Sequence, residues 1–292
     1  MNSRAYVFIL PMNAPGDIPD DFGASLDGRT FERGVFLPQA DTDWYTQTPE
    51  YPARLLLLND RGLYIIAHPS SGQDIVELNL ADIVQFETGS SLLSGWIQFS
   101  TQVSKLKLRY NSRASDRLEE FIAVVRRRWL YSPATGRLAE TGRFGPKPDI
   151  KFRNLLLGAL DRDELVLAQC FSAPLRFQSG LMLLRKNKWL PGHLVALTSG
   201  NRLIWLNDEY RGHQERYAGI TISAPTSLFR GCSVETTPDH SNLIIDFADG
   251  EAWRIGIYAP ESGCEEFSRA LNASAGKTKN GAETAFWGGS RR

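Results

Sequence analysis

The sequence predicts a mainly β protein of the α+β class, built as two related units of curved antiparallel sheets, each capped by one C-terminal helix. Three observations carry that prediction. Apolar runs flanking a polar, glycine-containing turn occur twice; an amphipathic helix with Glu-Glu-Phe closes each copy; and a Pro- and Gly-rich stretch lies between the copies. At 292 residues the chain has room for two cores, since one core serves roughly 100 to 200 residues.

The opening segment is acidic. Residues 1–50 carry Asp17, Asp20, Asp21, Asp27, Glu32, Asp41, Asp43 and Glu50 against Arg4, Arg29 and Arg33. Such a segment reads as solvated, with docking against the basic residues Arg113, Arg117 and Arg126 to Arg128 as the alternative. The stretch "LLLLNDRGLYIIAH" from Leu55 then aligns without gaps on "LVALTSGNRLIWLN" from Leu194, and each has the form of a β-hairpin. Next, "LNLADIVQFETGSSLLSGWIQF" matches "YAGITISAPTSLFRGCSVET" through the shared phrase "SSLLSG" and "TSLFRG". That alignment sets Gly95 opposite Gly231 and Trp96 opposite Cys232. The phrase reads as a turn into a strand, its apolar residues anchoring the connection and its glycine permitting a bend or bulge.

A further strand follows in each copy, "KLKLRY" at 105–110 and "NLIIDF" at 242–247, and "AWRIGIY" at 252–258 reads as a strand added in the second copy alone. Leu118, Phe121, Ile122 and Val125 in one copy, and Cys264, Phe267 and Leu271 in the other, have the spacing of an apolar helix face. Between the copies "YSPATGRLAETGRFGPKPD" reads as a linker, and "IKFRNLLLGAL" at 150–160 as a short amphipathic helix.

The elements "GHLVALTSGNRLIWL", "SLFRG" and the "EEF" helix resemble the bacterial pleckstrin-homology-like domains, close in fold to GRAM domains. The resemblance covers about residues 160–274 and, more weakly, about 30–130. With the linker read from composition, it gives an N-terminal domain at 1–130 that includes the acidic segment, a linker at 131–149 and a C-terminal domain at 150–274, while the composition of 275–292 reads as a disordered tail. It further implies a scaffold for protein and lipid binding rather than catalysis, although a fold does not fix a function.

Bulk properties narrow the classes. Lys+Arg 33 against Asp+Glu 33 gives zero net charge, so no global field favours nucleic acid. The three cysteines, Cys170, Cys232 and Cys264, lack paired metal spacing and read as buried thiols in a reducing compartment. The apolar stretches are too short for a secretory core or a bilayer span, which leads to a cytoplasmic expectation. "NAS" at Asn272 is then a chance sequon.

Catalytic and metal motifs are not found. His68, His193, His213 and His240 stand apart and read as surface or turn residues rather than ligands. No Gly-x-Ser-x-Gly elbow occurs, and "AGKTKNG" lacks the glycine a phosphate loop needs, since that position is Leu271. The acidic cluster Asp161, Asp163 and Glu164 reads as a cap at a helix-to-strand junction. The sequence thus predicts no enzyme, no metal and no cofactor.

One segment supports a sharper hypothesis. "PLRFQSGLMLLRKNKWLPG" at 174–192 sets apolar residues beside clustered cations and a Trp. Leu181, Met182, Leu184, Arg185, Lys186, Lys188 and Trp189 form a candidate surface for an anionic membrane or a partner. The plainer reading is an ordinary loop or helix whose apolar residues join the core. The leading functional expectation is a non-enzymatic protein-interaction or assembly module, with strand-edge pairing as a route. Peripheral membrane binding through residues 181–190 is the alternative. An enzyme would need polar residues from separate strands to converge in a pocket.

Overall fold

The computed structural model describes residues 9–26, 28–41, 49–68, 75–90, 94–111, 116–130, 142–144, 146–179, 186–208, 219–236, 240–257 and 263–273. The protein is mainly β with a few helices, and it divides into two compact units, Met1–Tyr131 and Ser132–Arg292.

The first unit opens with β1 (Leu10–Met12), β2 (Arg33–Leu37) and a short antiparallel pair, β3 (Ala40–Asp41) and β4 (Pro49–Tyr51). Then come β5 (Arg54–Leu58), β6 (Gly62–Ala67) and β7 (Ile75–Asn79). Strands β1, β2, β5, β6 and β7 neighbour one another in an antiparallel sheet. A 3-10 turn, Leu80–Asp82, leads into an antiparallel meander of β8 (Ile83–Ser90), β9 (Ser94–Thr101) and β10 (Lys105–Asn111). Helix α1 (Asp116–Trp129) closes the unit.

The run Leu55–Leu58 does not alternate with polar residues because both faces of its sheet are covered. Leu56 and Leu58 join Val35 and Ile65 in a core completed by Phe86, Ile97 and Phe99 of the second sheet and by Leu118, Phe121, Ile122 and Val125 of α1. Leu55 and Leu57 join Phe36 and Ile66 in a separate core with Met12, Ile18 and Phe22. Strand alternation therefore divides one apolar run between two cores.

That second core corrects the expectation of a solvated N-terminal segment. Ile18 and Phe22, from the 3-10 stretch around Asp20–Leu26, anchor the segment on the outer face of the sheet while Asp17, Asp20 and Glu32 stay exposed. Asp21 Oδ2 lies 3.0 Å from His68 Nε2, and Arg128 Nη2 of α1 donates to Glu32 Oε2 at 2.6 Å. Arg117 instead pairs with Glu120 of its own helix. Burial of apolar anchors, at about 25 cal/mol per Å², sets the docking, and the charges follow.

The second unit repeats the plan. Strand β11 (Gly142–Phe144) runs parallel to β12 (Val166–Ser172), and helix α2 (Ile150–Ala159) lies between them in sequence. Strands β13 (Leu175–Ser179) and β14 (Lys186–Leu190) form a hairpin of their own. Strands β15 (His193–Thr198), β16 (Arg202–Asn207) and β17 (Gly219–Pro225) continue the first sheet from β12. A 3-10 turn, Thr226–Leu228, leads to the meander β18 (Phe229–Thr236), β19 (Ser241–Phe247) and β20 (Ala252–Ile257). Helix α3, residues 264–273, closes the unit.

Here too the first sheet is covered twice. Phe152, Leu156 and Ala159 of α2 pack on Phe171, Leu194, Ala196, Ile204 and Leu206. The alternate residues Cys170, Val195, Leu197 and Leu203 are buried on the other face, toward the second meander and α3. Trp205 meets Trp253 of β20 with ring centroids 5.7 Å apart, and Phe144 meets Phe267 of α3 at 6.2 Å. Strand β11 and the buried Pro148 fall inside the expected 131–149 linker, so the end of that stretch belongs to the second unit.

The repeat is real at the level of elements, but the shared phrase does not align it. "SSLLSG" spans the connection from β8 to β9, whereas "TSLFRG" spans the 3-10 turn and the start of β18. The counterpart of Thr226–Leu228 is the 3-10 turn Leu80–Asp82, and the counterpart of Phe229 is Ile83. Once the units are matched this way, each has three strands in its second meander. The strand at Ala252–Ile257 is the counterpart of β10 and not an addition. The two glycines differ in role as well. A Cβ on Gly95 would stand 2.4 Å from Cζ of Tyr110, whereas Gly231 follows a register shift after Phe229 with open space around it. A phrase of small and apolar residues suits any entry into a strand, so it cannot fix a register.

Candidate interaction surface

Strands β13 and β14 carry the backbone of the surface anticipated from sequence. Ser179 pairs with Lys186, Phe177 with Lys188 and Arg176 with Trp189. Leu181, Met182, Leu184 and Arg185 lie outside the described residues and belong to the 180–185 connection between the two strands. The segment is thus a strand-paired hairpin at its base, not a plain loop or a helix. At its start Leu175 is 39% exposed, which places an apolar side chain in water where the hairpin leaves the sheet.

The root of the hairpin is held by polar groups the sequence did not single out. Gly192 N–H donates to Asp208 Oδ1 at 2.5 Å, and Asp208 N–H donates back to the Gly192 carbonyl at 3.3 Å. Lys151 of α2 reaches Asp208 Oδ2 at 3.4 Å. Burial pushes the Asp208 carboxyl above its ordinary range, and the Gly192 amide and Lys151 offset part of that rise. Beside it His193 is buried, contrary to the expected surface or turn position. Trp205 Nε1–H donates to His193 Nδ1 at 3.4 Å, which leaves the imidazole neutral with its proton on Nε2. Burial lowers the His193 pKa to about 4.

A second buried pair fixes the other end of the same strands. Arg202, fully buried, forms an ion pair with Glu164, to which Thr198 Oγ1 also donates. Arg202 Nη2 further donates to the carbonyl of Ala159 at the end of α2, at 2.5 Å. Burial would raise the Glu164 carboxyl, but the Arg202 guanidinium and the Thr198 hydroxyl more than reverse this and hold it below its usual range. Within the acidic cluster Glu164 caps the junction locally, accepting from the Asp161 N–H at 3.0 Å, and does more than cap. Glu164 ties a helix end to a hairpin, while Asp149 is the residue that caps α2, accepting from Phe152 N–H at 2.9 Å.

Asn272 is engaged rather than open for a glycan. Its amide accepts from Cys232 N–H at 2.9 Å and donates to the Cys232 carbonyl at 2.7 Å. In the first unit, the face of β8 to β10 opposite the core presents Trp96, whose Nε1–H donates to Glu87 at 2.6 Å and whose ring lies 4.6 Å from Lys107 Nζ. His68 takes part in the N-terminal latch, and His213 lies outside the described residues. Among the described residues no helix is long and apolar enough to cross a membrane, and no group of three His, Cys, Asp or Glu side chains is gathered to hold a metal ion. The sequence matches no family model and no curated protein.

Proposed function

We propose that this chain is a non-enzymatic binding and assembly module of two pleckstrin-homology-like units that works through protein–protein contact in the cytoplasm. One observation carries the reading. Both units have a larger, mostly antiparallel sheet, a 3-10 turn, a three-stranded meander and a closing helix in the same chain order. We take that shared order as a scaffold whose surfaces recognise partners; the pleckstrin-homology-like resemblance supports this reading, because the fold by itself does not fix a function. Among the described residues strand β20 stands at the end of its sheet, with Arg254 exposed on it, and offers a route for a partner strand.

Peripheral membrane binding is the second reading. The pairing of Ser179 with Lys186 favours it, because Leu181, Met182, Leu184 and Arg185 then fall in the connection between two paired strands. One experiment with two arms separates the readings. In the first arm a photo-reactive amino acid replaces Arg254 in the full chain and is activated in the cell of origin. The expected product is one discrete protein adduct that does not form when the probe is moved to Val103, an exposed turn residue of the first unit. Equal labelling from both sites counts against a defined protein partner. In the second arm, co-sedimentation with anionic vesicles that is lost in the triple variant Arg185→Ala, Lys186→Ala, Lys188→Ala would give the function to the hairpin instead.

A further inference from the structure

Three cysteines far apart in sequence come together in the interior of the second unit. Cys170 on β12 and Cys264 at the start of α3 bring their sulfurs to 3.6 Å. All three, Cys232 included, are buried thiols. The far end of α3 is held independently, because Ser268 Oγ and Asn272 Nδ2 both donate to the Cys232 carbonyl at 2.7 Å. The Cys170 and Cys264 sulfurs therefore sit at the one end of α3 that these hydrogen bonds do not hold. From 3.6 Å they need to approach by about 1.5 Å to reach the roughly 2.05 Å of a disulfide. A small shift of a helix end covers that distance without moving the sheet.

We propose that Cys170 and Cys264 form an oxidative cross-linking site, at which a peroxide converts the thiol pair into a disulfide that fastens the C-terminal helix to the first sheet of the second unit. One sulfur loses its proton and attacks an oxygen of the peroxide, breaking the O–O bond, so that a sulfenic acid forms and water leaves. The other sulfur then attacks the sulfenic sulfur, its proton leaving with the displaced hydroxyl as a second water. Two thiols and one hydrogen peroxide thus give one disulfide and two waters. Sulfur is oxidised and oxygen reduced.

The surroundings gate this reaction. The hydrogen bond to Cys264 and then burial hold the Cys170 thiol protonated, far above the ordinary thiol range. A protonated, buried thiol is a poor nucleophile, so attack on peroxide waits for the first turn of α3 to open. Helix ends open most readily, and Cys264 is the first helical residue, following Gly263 in the left-handed region at φ 63°. When the helix closes again the second sulfur is in place. The link closes a long loop of chain, which restricts the unfolded state and holds α3 down.

The test treats the full-length protein with hydrogen peroxide under native conditions, blocks remaining thiols with N-ethylmaleimide in urea, and maps peptides without reduction. The expected result is a linked Cys170–Cys264 peptide pair, lighter by two hydrogens, with Cys232 alkylated. Cys232→Ser keeps the link and Cys264→Ser abolishes it. Cys170→Ala serves as a second removal in case Cys264→Ser loosens the helix. Amide exchange in residues 264–273 should slow by roughly tenfold or more in the oxidised protein and return with reductant. The inference is overturned if native oxidation leaves both cysteines alkylated, if Cys232 is linked instead, or if exchange in α3 does not change.

Discussion

At the scale of single residues, the side chains that matter most to the second unit are polar ones buried among strands. His193 gives a measurable consequence. Its pKa falls from 6.5 to about 4 through burial, so the folded state holds it neutral where the unfolded chain would protonate it. The folded pKa is depressed, so its contribution is intact above pH 6.5 and is lost progressively as pH falls toward 4. The shift corresponds to about 3 kcal/mol across that window. Urea unfolding followed by amide exchange in β15 and β16 should show this slope, and His193→Gln should flatten it. Equal slopes in the two proteins would mean that His193 is not buried neutral. The sequence could not reveal this, because burial of a lone histidine depends on Trp205, twelve residues along the chain, reaching back across a hairpin to donate to it. Arg202 was hidden in the same way. Nothing local in "SGNRLIWL" marks it as buried, and its partners, the Ala159 carbonyl at the end of α2 and Glu164 in the junction that follows, come from about forty residues away.

Among the elements, the most legible were those with local periodicity. Helix α1 buries Leu118, Phe121, Ile122 and Val125 because residues at helical spacing share a face whatever the tertiary context. The paired hairpins at Leu55 and Leu194 were equally plain, since an apolar run, a polar turn and another apolar run leave few alternatives. What covers the outer faces was not legible. The continuous runs Leu55–Leu58 and Leu194–Leu197 signal strands buried on both sides, yet in one unit the cover is an acidic N-terminal segment and in the other the helix α2. Phe22 tests the first cover. It is fully buried, with its ring 6.1 Å from Phe36 and 5.4 Å from His68. Phe22→Ala should destabilise the unit by about 3 to 5 kcal/mol and speed amide exchange in β2 and β5 before it affects β8 to β10. Uniform acceleration across all of these strands would instead make the segment part of a single cooperative core.

For the whole molecule, charge determines what the surface does at a distance. The 33 basic and 33 acidic residues cancel, and the isoelectric point is about 6.9. A neutral surface exerts no long-range pull on polyanions and gives copies of the chain little mutual repulsion at neutral pH. On the proposed reading as a binding module, recognition is short-range, so association rates should depend only weakly on salt. The same neutrality predicts a solubility minimum near pH 6.9, relieved about equally by moving one pH unit to either side. Static light scattering across pH 5 to 9 at fixed protein concentration measures this directly. A second virial coefficient that passes through its lowest value near the isoelectric point is the expected outcome. A minimum displaced well to the acidic side would show that the charges do not average over the surface, and that a local cluster of basic residues governs association at neutral pH.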